Sequence, residues 1–312
     1  MMRYWSILLC LGMLSACVDQ AQHRAKYVKI DGSSTVFPIT EAITEDFYEA
    51  NPQYKVVVGI SGTGGGIRKL CRGDIDLCNA SRPIEPKELD ACYAVGLEIL
   101  SLPLAFDGIV IAVPKSNSWA QNIRLSELRQ LWEPAAQGKN IYWSDLRPEW
   151  PKLPVQLFGA GSSSGTYDFF TEVVIGKARS SRGDYTSSES DNIIVQGLLG
   201  SRGGLAYFGY TYFIENAERL RALPVIDDIH GGVVAVAPND QSIADGSYKP
   251  FRRTQYMLIT NKALERDNVY RYVHYYFSRI EKLADELHFV PLPAADYVAV
   301  REKLSTYNPS TP

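Results

Sequence analysis

Short apolar runs alternate along the chain with segments in which apolar residues recur every three or four positions. Ile39, Ile43 and Phe47, for example, fall on one face of a helix. The runs predict strands at residues 27–30, 54–60, 75–80, 97–103, 108–113, 154–158, 204–208, 233–237 and 254–259. The helical pattern predicts helices at residues 36–50, 67–72, 126–132, 167–175, 189–199, 268–277, 278–286 and 294–303, with another beginning at Pro86. Because the two patterns alternate throughout, the predicted fold class is α/β.

The loops that follow the first three predicted strands carry small and polar residues. Residues 31–35 are rich in hydroxyls, and residues 61–66 are nearly without side chains. Ser81 and Arg82 follow the third strand directly. In a doubly wound parallel sheet the carboxyl ends of the strands share one edge, and ligands bind there. We therefore expect these three loops to form part of one binding site.

Residues 159–166 form a glycine- and serine-rich turn between a predicted strand and a predicted helix. Its glycines let the backbone approach a ligand closely, and the helix begins with unpaired N–H groups at the positive end of its dipole. The turn is therefore suited to an oxyanion. Two alternatives stay open for this stretch alone. One is a nucleophile elbow, because Ser163 lies at the centre of a G-x-S-x-G match; the other is an ordinary surface loop with a helix cap.

A serine hydrolase built on Ser163 needs a base and an acid. The candidates in the chain are His230, His274 and His288 for the base and Asp227 or Asp228 for the acid. That interpretation leaves the hydroxyl loops of the first three strands unexplained. The other acidic residues are scattered and lack the histidine companions of a catalytic metal centre. The chain is therefore predicted not to be an enzyme, and no metal or cofactor is expected.

The first residues differ from the rest of the 312-residue chain, which can hold about two domains of ordinary size. Arg3 is the only charge before the apolar run 5–13, which leads through small residues to Cys17. This start resembles a bacterial lipoprotein signal, in which cleavage before the cysteine is accompanied by its acylation. We predict a signal peptide at residues 1–16, lipidation at Cys17 and a tether at residues 17–26.

Processing changes the net charge slightly. Removing residues 1–16 discards one Arg and no acid, so 32 basic residues become 31 against 35 acidic, a net charge of −4. A mildly acidic chain is a poor candidate for binding nucleic acid. If the mature protein binds an anion, it must do so with local dipoles and hydrogen bonds.

Three cysteines remain after processing: Cys71, Cys78 and Cys92. An exported compartment is oxidising, so one disulfide and one free thiol are expected. The sequence permits three pairings. We favour Cys71–Cys92, because Cys78 lies inside an apolar run and is typical of a small buried strand residue.

Six short motifs along the mature chain resemble those of the bacterial phosphate-binding lipoproteins, the periplasmic receptors of the phosphate ABC transporter. The motifs are residues 31–38, 59–66, 79–84, 106–110, 161–166 and 203–209. The resemblance implies a type II periplasmic binding protein fold, with two doubly wound lobes around a ligand cleft. We assign residues 27–105 and 254–312 to the first lobe and residues 106–253 to the second.

The same resemblance implies the function and partners. High-affinity binding of inorganic phosphate in the periplasm, by lobe closure, would precede delivery to the membrane permease of the ABC transporter. We expect a monomer that contacts the membrane through its lipid anchor. A signalling lipoprotein that kept the fold without the ligand is the remaining alternative, and the donor loops argue against it.

Matching the loops one by one, the resemblance implies a set of phosphate-binding residues. These are Ser34, Thr35, Ser61, Gly62, Thr63, Ser81, Arg82, Ser164, Gly165 and Thr166. One branch of the family has Asp in place of Arg82 and Arg near Gly159, so we hypothesise that Arg82 supplies the forked guanidinium contact. Our candidate for accepting the phosphate proton is Asp168; the equal alternative is that it is a helix-dipole partner or forms an ion pair with Arg82. Asp31 and Asp107 are the runners-up.

Overall fold

The computed structural model describes residues 27–307; the predicted signal peptide, the predicted lipidation site at Cys17 and the predicted tether lie outside the described residues. The strands are β1 (Tyr27–Gly32), β2 (Lys55–Val58), β3 (Leu77–Ala80), β4 (Ile99–Pro114), β5 (Ile123–Arg124), β6 (Gln156–Ala160), β7 (Thr186–Ser188), β8 (Gly204–Gly209), β9 (Leu220–Ala222), β10 (Val225–Ile226), β11 (Ala235–Val236) and β12 (Arg252–Thr260). The helices are α1 (Phe37–Ala50), α2 (Thr63–Cys71), α3 (Pro86–Tyr93), α4 (Leu125–Trp132), α5 (Trp143–Leu146), α6 (Gly165–Ile175), α7 (Asp191–Leu199), α8 (Tyr210–Glu215), α9 (Asp240–Ala244), α10 (Asn261–Leu264), α11 (Asp267–Glu286) and α12 (Ala294–Ser305).

Most of the strands form one nine-stranded mixed sheet in the order β2-β1-β3-β12-β4-β8-β6-β7, with β9 beside β4. The strands are parallel within β2-β1-β3 and within β8-β6-β7. In contrast, β12 is antiparallel to β3 and β4, and β4 is antiparallel to β8. The strands β5, β10 and β11 form a separate sheet. Helices and strands alternate along the chain, which confirms the predicted α/β class.

The described residues form two large hydrophobic cores and a smaller cluster that includes Ile67 and Cys78. The first packs α1, α11 and α12 on β1 and β3, and its largest buried side chains include Tyr272 and Tyr276. The second packs α4, α6 and α7 on β6 and β8, and includes Trp132 and Phe170. We call β1 to α3 together with α10 to α12 the first lobe, and β5 to α9 the second lobe. The strand β4 contributes to both cores; the lobe boundaries assigned from the sequence stay a prediction.

The two strands predicted at residues 97–103 and 108–113 are one continuous strand, β4. Pro103 lies inside it, opposite Tyr256 of β12, where the register between the two strands shifts. A proline cannot donate a hydrogen bond to its neighbour, so it is tolerated where the pairing is irregular. The predicted interruption between the lobes is therefore a bulge in a continuous ribbon of two strands.

Other predicted boundaries also differ; the helix predicted at residues 67–72, for example, begins at Thr63. The helices predicted at residues 268–277 and 278–286 are one helix, α11, in which the hydroxyl of Ser278 donates to the carbonyl of Tyr275 at 2.7 Å. The strand predicted at residues 233–237 is reduced to β11, and Val233 is exposed.

Cys71 and Cys92 form a disulfide, as predicted, and it joins the end of α2 to α3. Cys78 is free and buried in β3. Between residues 27 and 307, no helix is both long enough and apolar enough to cross a bilayer.

Candidate functional site

The polar loops predicted from the sequence converge between the two lobes. The hydroxyls of Thr63, at the start of α2, and Ser81, after β3, lie 3.1 Å apart. A methyl group added at Gly165, the first residue of α6, would lie 2.6 Å from both oxygens. Ser164 caps α6 by accepting from the amide of Thr166 at 3.1 Å. The first residue of α6 in the second lobe therefore packs directly against the hydroxyls of Thr63 and Ser81 in the first lobe. A side chain larger than that of glycine would overlap them in this arrangement.

The loop after β1 contacts the second lobe in the same way. Ser34 Oγ donates to Asp191 Oδ2 at 2.5 Å, and the hydroxyl of Tyr212 donates to the carbonyl oxygen of Ser34 at 2.7 Å. A methyl group at Gly209 would lie 2.6 Å from Thr35 Cγ2. The cleft is therefore closed. We call the following set the cradle: Ser34, Thr35, Thr63, Ser81, Ser164, Gly165 and Thr166.

Arg253 lies beside the cradle and is a residue that the sequence analysis missed. Its Nη2 lies 3.4 Å from Thr35 Oγ1, and its Nε and Nη2 donate to Asp107 Oδ2 at 2.9 and 2.7 Å. The whole residue is 5% exposed. A buried guanidinium needs acceptors for its N–H groups, and Asp107 supplies them on one side only.

Several buried polar atoms of this region have no hydrogen-bond partner among the residues that the structure describes. The donors are the hydroxyl of Thr166, Nη1 of Arg253 and Nδ2 of Asn79, and the acceptors are Oε1 of Gln255 and Oε2 of Glu189. Native proteins pair almost all buried polar groups, because an unpaired donor loses its hydration without compensation. The cradle therefore offers donors to an acceptor that the chain itself does not provide, which is the chemistry of an anion site.

Asp191 is the second residue that the sequence analysis missed. It begins α7 and is 2% exposed. Burial raises the pKa of Asp191 to about 6, although the hydrogen bond from Ser34 and the charge of Arg253 both lower it. Above about pH 6 this carboxyl is therefore mostly ionised, and it can accept a hydrogen bond from a protonated oxygen.

Arg82 and Asp168 lie next to the cradle in a network of charges. Arg82 donates from Nε to Asp168 Oδ2 at 2.7 Å, and from Nη1 and Nη2 to the two oxygens of Glu88 at 2.8 Å each. Arg179 donates to both oxygens of Asp168, at 2.9 and 2.8 Å. The ion pair between Arg82 and Asp168, one of two interpretations of Asp168, is thus present, while the predicted phosphate contacts of both residues stay predictions.

Comparison with known proteins identifies the family. Residues 18–279 match the family model of the PBP superfamily domain. The chain is 39% identical to Protein SphX of Synechococcus elongatus over 94% of this chain and 86% of that protein. It is 34% identical to the phosphate-binding protein PstS of Staphylococcus saprophyticus over 89% of this chain and 84% of that protein. This chain belongs to the phosphate-binding family of the PBP superfamily.

Solved structures of similar proteins agree with this family. A possible phosphate binding protein from Planctomyces limnophilus has a TM-score of 0.67 and 39% identity, over 90% of this chain and 98% of that one. An ABC-type phosphate transport receptor from Vibrio cholerae, at 17% identity and a TM-score of 0.63, covers 85% of this chain and 100% of that one and shares the fold. The predicted type II periplasmic binding protein fold, with parallel and antiparallel strands in its sheet, is confirmed.

Two predicted family-site residues lie at the edge of the cradle. Ser61 donates to Asp31 Oδ1 at 2.8 Å, and Asp31 also pairs with Lys69, so this loop end is tied to the first lobe. Gly62 has a φ of +73°, and a methyl group there would lie 2.4 Å from the carbonyl oxygen of Ser163. Gly62 therefore permits close approach of the lobes. For both residues a ligand contact stays a prediction.

The contacts of Ser163 do not resemble those of the nucleophile in a hydrolase. Its amide donates to Glu189 Oε1 at 3.0 Å, and its hydroxyl lies 3.4 Å from Arg68 Nη2. His230 pairs instead with Asp227 at 2.7 Å. Over the described range, no histidine hydrogen-bonds Ser163 and no group of His, Cys, Asp and Glu side chains could hold a metal. The family is one of substrate-binding proteins, and the hydrolase alternative is not favoured.

Proposed function

We propose that this protein binds inorganic phosphate with high affinity in the closed cleft and delivers it to the permease of a phosphate ABC transporter. Thr166 Oγ1 and Arg253 Nη1 carry the proposal, because they are buried donors without a partner in residues 27–307, at the place where the family site is expected. The relative from Staphylococcus saprophyticus, named a phosphate-binding protein, supports the choice of ligand.

The proposed donor set is neutral apart from one guanidinium. The hydroxyls of Thr35, Thr63, Ser81 and Thr166 would donate to phosphate oxygens, with Arg253 as the cation, and the N-termini of α1, α2 and α6 would add amide donors and dipole charge. Micromolar binding requires about 8 kcal/mol. Hydrogen bonds to a charged group contribute roughly 1.5–3 kcal/mol each, so several must act together to exceed the cost of association.

Selectivity for phosphate over sulfate would come from a carboxylate. Monohydrogen phosphate carries a proton that a carboxylate can accept, whereas sulfate at neutral pH carries none and leaves the carboxylate unpaired. The sequence favours Asp168, but its oxygens already accept from Arg82 and Arg179. We propose Asp191 for this role, because it reaches the cradle through Ser34.

We also propose that the mature protein is a periplasmic monomer held at a membrane by acylated Cys17. The tether of residues 17–26 would let the folded part reach the permease while it stays anchored. The proposed role is binding and delivery rather than catalysis, and it needs no cofactor.

Isothermal titration of the mature protein with phosphate, arsenate and sulfate at pH 7.5 tests the proposed function. We expect saturable binding of phosphate and arsenate at micromolar or lower Kd, and sulfate at least about a hundredfold weaker, because an unpaired carboxylate facing sulfate costs several kcal/mol. Heat with sulfate but none with phosphate would overturn the ligand assignment. No heat with any of the three anions would overturn anion binding itself.

A further inference from the structure

A network of five charged side chains crosses the cleft beside the cradle. Arg82, Glu85 and Glu88 come from the first lobe, and Asp168 and Arg179 come from the second. We call these five residues the clasp. Two of them are close in sequence to the cradle: Arg82 follows Ser81 directly, and Asp168 is two residues after Thr166.

Each arginine of the clasp hydrogen-bonds one carboxylate in its own lobe and one across the cleft, and each has one further carboxylate within 3.9 Å. Arg82 binds Glu88 of its own lobe through two hydrogen bonds of 2.8 Å, and reaches across to Asp168 at 2.7 Å. Arg179 binds Asp168 of its own lobe at 2.8 and 2.9 Å, and reaches across to Glu85 at 2.5 Å. Each lobe therefore contributes one arginine that hydrogen-bonds a carboxylate of the other lobe.

This arrangement allows the cleft to open without leaving a charge unpaired. Removing one partner of a buried ion pair is costly because the other charge stays buried and uncompensated. When the lobes separate, Arg82 keeps Glu88 and Arg179 keeps Asp168, so the clasp loses the two hydrogen-bonded contacts across the cleft and the longer Arg179–Glu88 pair at 3.9 Å. The clasp can therefore form and break reversibly at each opening.

The backbone holds Arg179 in place for its contact across the cleft. Arg179 has a φ of +61°, a conformation that residues other than glycine rarely adopt. Its amide donates to Thr171 Oγ1 of α6 at 2.8 Å, which fixes the turn. Such strain persists where the surroundings enforce it and is frequent at functional sites. Its side chain is exposed at the edge of the cleft, where Nη2 donates to Glu85 Oε1 at 2.5 Å.

We propose that the clasp is a closing device that sets the lifetime of the closed, ligand-bound state, with Arg179 and Glu85 as positioning residues that do not touch the ligand. The proposal uses phosphate as the ligand and in that respect rests on the proposed function. It predicts that breaking the Arg179–Glu85 ion pair, which we call the rim pair, accelerates release of phosphate. The rate of association, which starts from the open cleft, should change little.

Stopped-flow measurement of phosphate association and release tests this proposal on the mature protein and on Arg179→Met, Glu85→Gln and the double variant. We expect release to accelerate about fivefold in each single variant, the size expected for a half-exposed ion pair, with association within twofold of wild type. The double variant should release no faster than Arg179→Met, because both substitutions remove the same contact. Arg72→Met is the matched control, since Arg72 pairs with Asp74 on the exposed surface of the first lobe.

A scattering experiment separates failure of the clasp from failure of the proposed function. Without ligand, raising NaCl should increase the radius of gyration of the wild type by screening the rim pair, and Arg179→Met should be expanded at all salt concentrations. Equal release rates in wild type and both single variants would overturn the proposal. If the wild type binds no phosphate, the proposed function fails, and an unchanged radius in Arg179→Met would then overturn the clasp as well.

Discussion

The cradle and the clasp lie side by side between the same two lobes, yet they differ in whether their polar groups are paired within the protein. The cradle is built from hydroxyls and glycines, and Thr166 Oγ1 is left without a partner in the described chain. The clasp is built from full charges, and both of its arginines are bound to carboxylates. One cluster is prepared for a ligand; the other is complete without one.

The difference follows from what each group costs when it is buried. A buried charge is tolerated only when it is paired. A buried hydroxyl without a hydrogen-bond partner costs only a few kcal/mol, so it can remain unpaired in the ligand-free protein. A chain with a net charge of −3 can hold an anion in this way. Neutral donors contact the ligand, and most of the charge nearby is already balanced.

The largest effect should come from adding a side chain at Gly165, where the two lobes touch. In Gly165→Ala the new methyl group would lie 2.6 Å from the hydroxyl oxygens of Ser81 and Thr63, so the lobes cannot close as they do here. We expect the Kd for phosphate, measured by isothermal titration, to rise at least about a hundredfold, since overpacking costs typically 1–3 kcal/mol and several ligand hydrogen bonds are lost as well.

Gly64→Ala is the control for that substitution. Gly64 lies in the same cleft, but a methyl group there would lie 3.5 Å from its nearest neighbours, an ordinary contact. Its Kd should stay within about threefold of wild type, because no overlap arises. Tight binding by Gly165→Ala would show that the ligand is not held where the lobes meet at Ser81 and Thr63.

A smaller effect is expected for Arg253, the cation beside the cradle. Arg253→Lys keeps a positive charge beside Asp107 but loses the fork whose Nη1 is free to donate. We expect the Kd for phosphate to rise about tenfold or more, the value of one charge-assisted hydrogen bond. Arg82→Lys should be measured in parallel. A larger loss in Arg82→Lys than in Arg253→Lys would assign the ligand contact to Arg82, as the sequence predicts.

The smallest effect concerns the stability of the protein without ligand. The pKa of Asp191 is raised from 3.8 to about 6, so the folded state holds the proton more tightly than the unfolded state. Its contribution to stability is therefore complete below about pH 3.8 and is lost as the pH rises through 6. Asp191→Asn should raise the free energy of unfolding by up to about 3 kcal/mol at pH 8, at about 1.4 kcal/mol per pKa unit.

Urea unfolding at pH 8 and at pH 4.5 checks this prediction, and the gain should be smaller at the lower pH. Asp184→Asn is a control of opposite sign, because the hydrogen bond from Arg182 lowers the pKa of Asp184 and makes its ionised form stabilising. That variant should lose stability at pH 8. If Asp191→Asn is no more stable than wild type at either pH, Asp191 does not hold its proton on folding.

Much of the fold was accessible from local pattern. The periodicity of Ile39, Ile43 and Phe47 identified a helix whose apolar face is buried, and the buried position of Cys78 decided the disulfide. The loops at Thr63, Ser81 and residues 164–166 were recognised because strand, hydroxyl turn and helix follow each other directly. Such features depend on residues that are close in the sequence, so a single sequence is enough to predict them.

Contacts between distant segments were not accessible in this way. Arg253 reaches Thr35 only because β12 returns to pair with β3 and β4. Asp191 reaches Ser34 across 157 positions of the chain. Nothing in the local sequence distinguishes a buried Asp at a helix start from the ordinary solvated one. In the same way, Arg82 has the composition of an anion ligand, and only its neighbours show how many carboxylates already bind it.

The ribbon formed by β4 and β12 has a mechanical consequence. The two strands are paired from Arg252 opposite Gly108 to Thr260 opposite Ile99, with one bulge between Gln255 and Tyr256. The hydrogen bonds between the two strands restrain how far the ribbon can bend, and the bulge is the point where its strand bends. The lobes are thus joined by a paired ribbon and not by a flexible single-chain linker. Less orientational freedom remains to be lost when the ligand arrives, so more of each hydrogen bond appears as affinity.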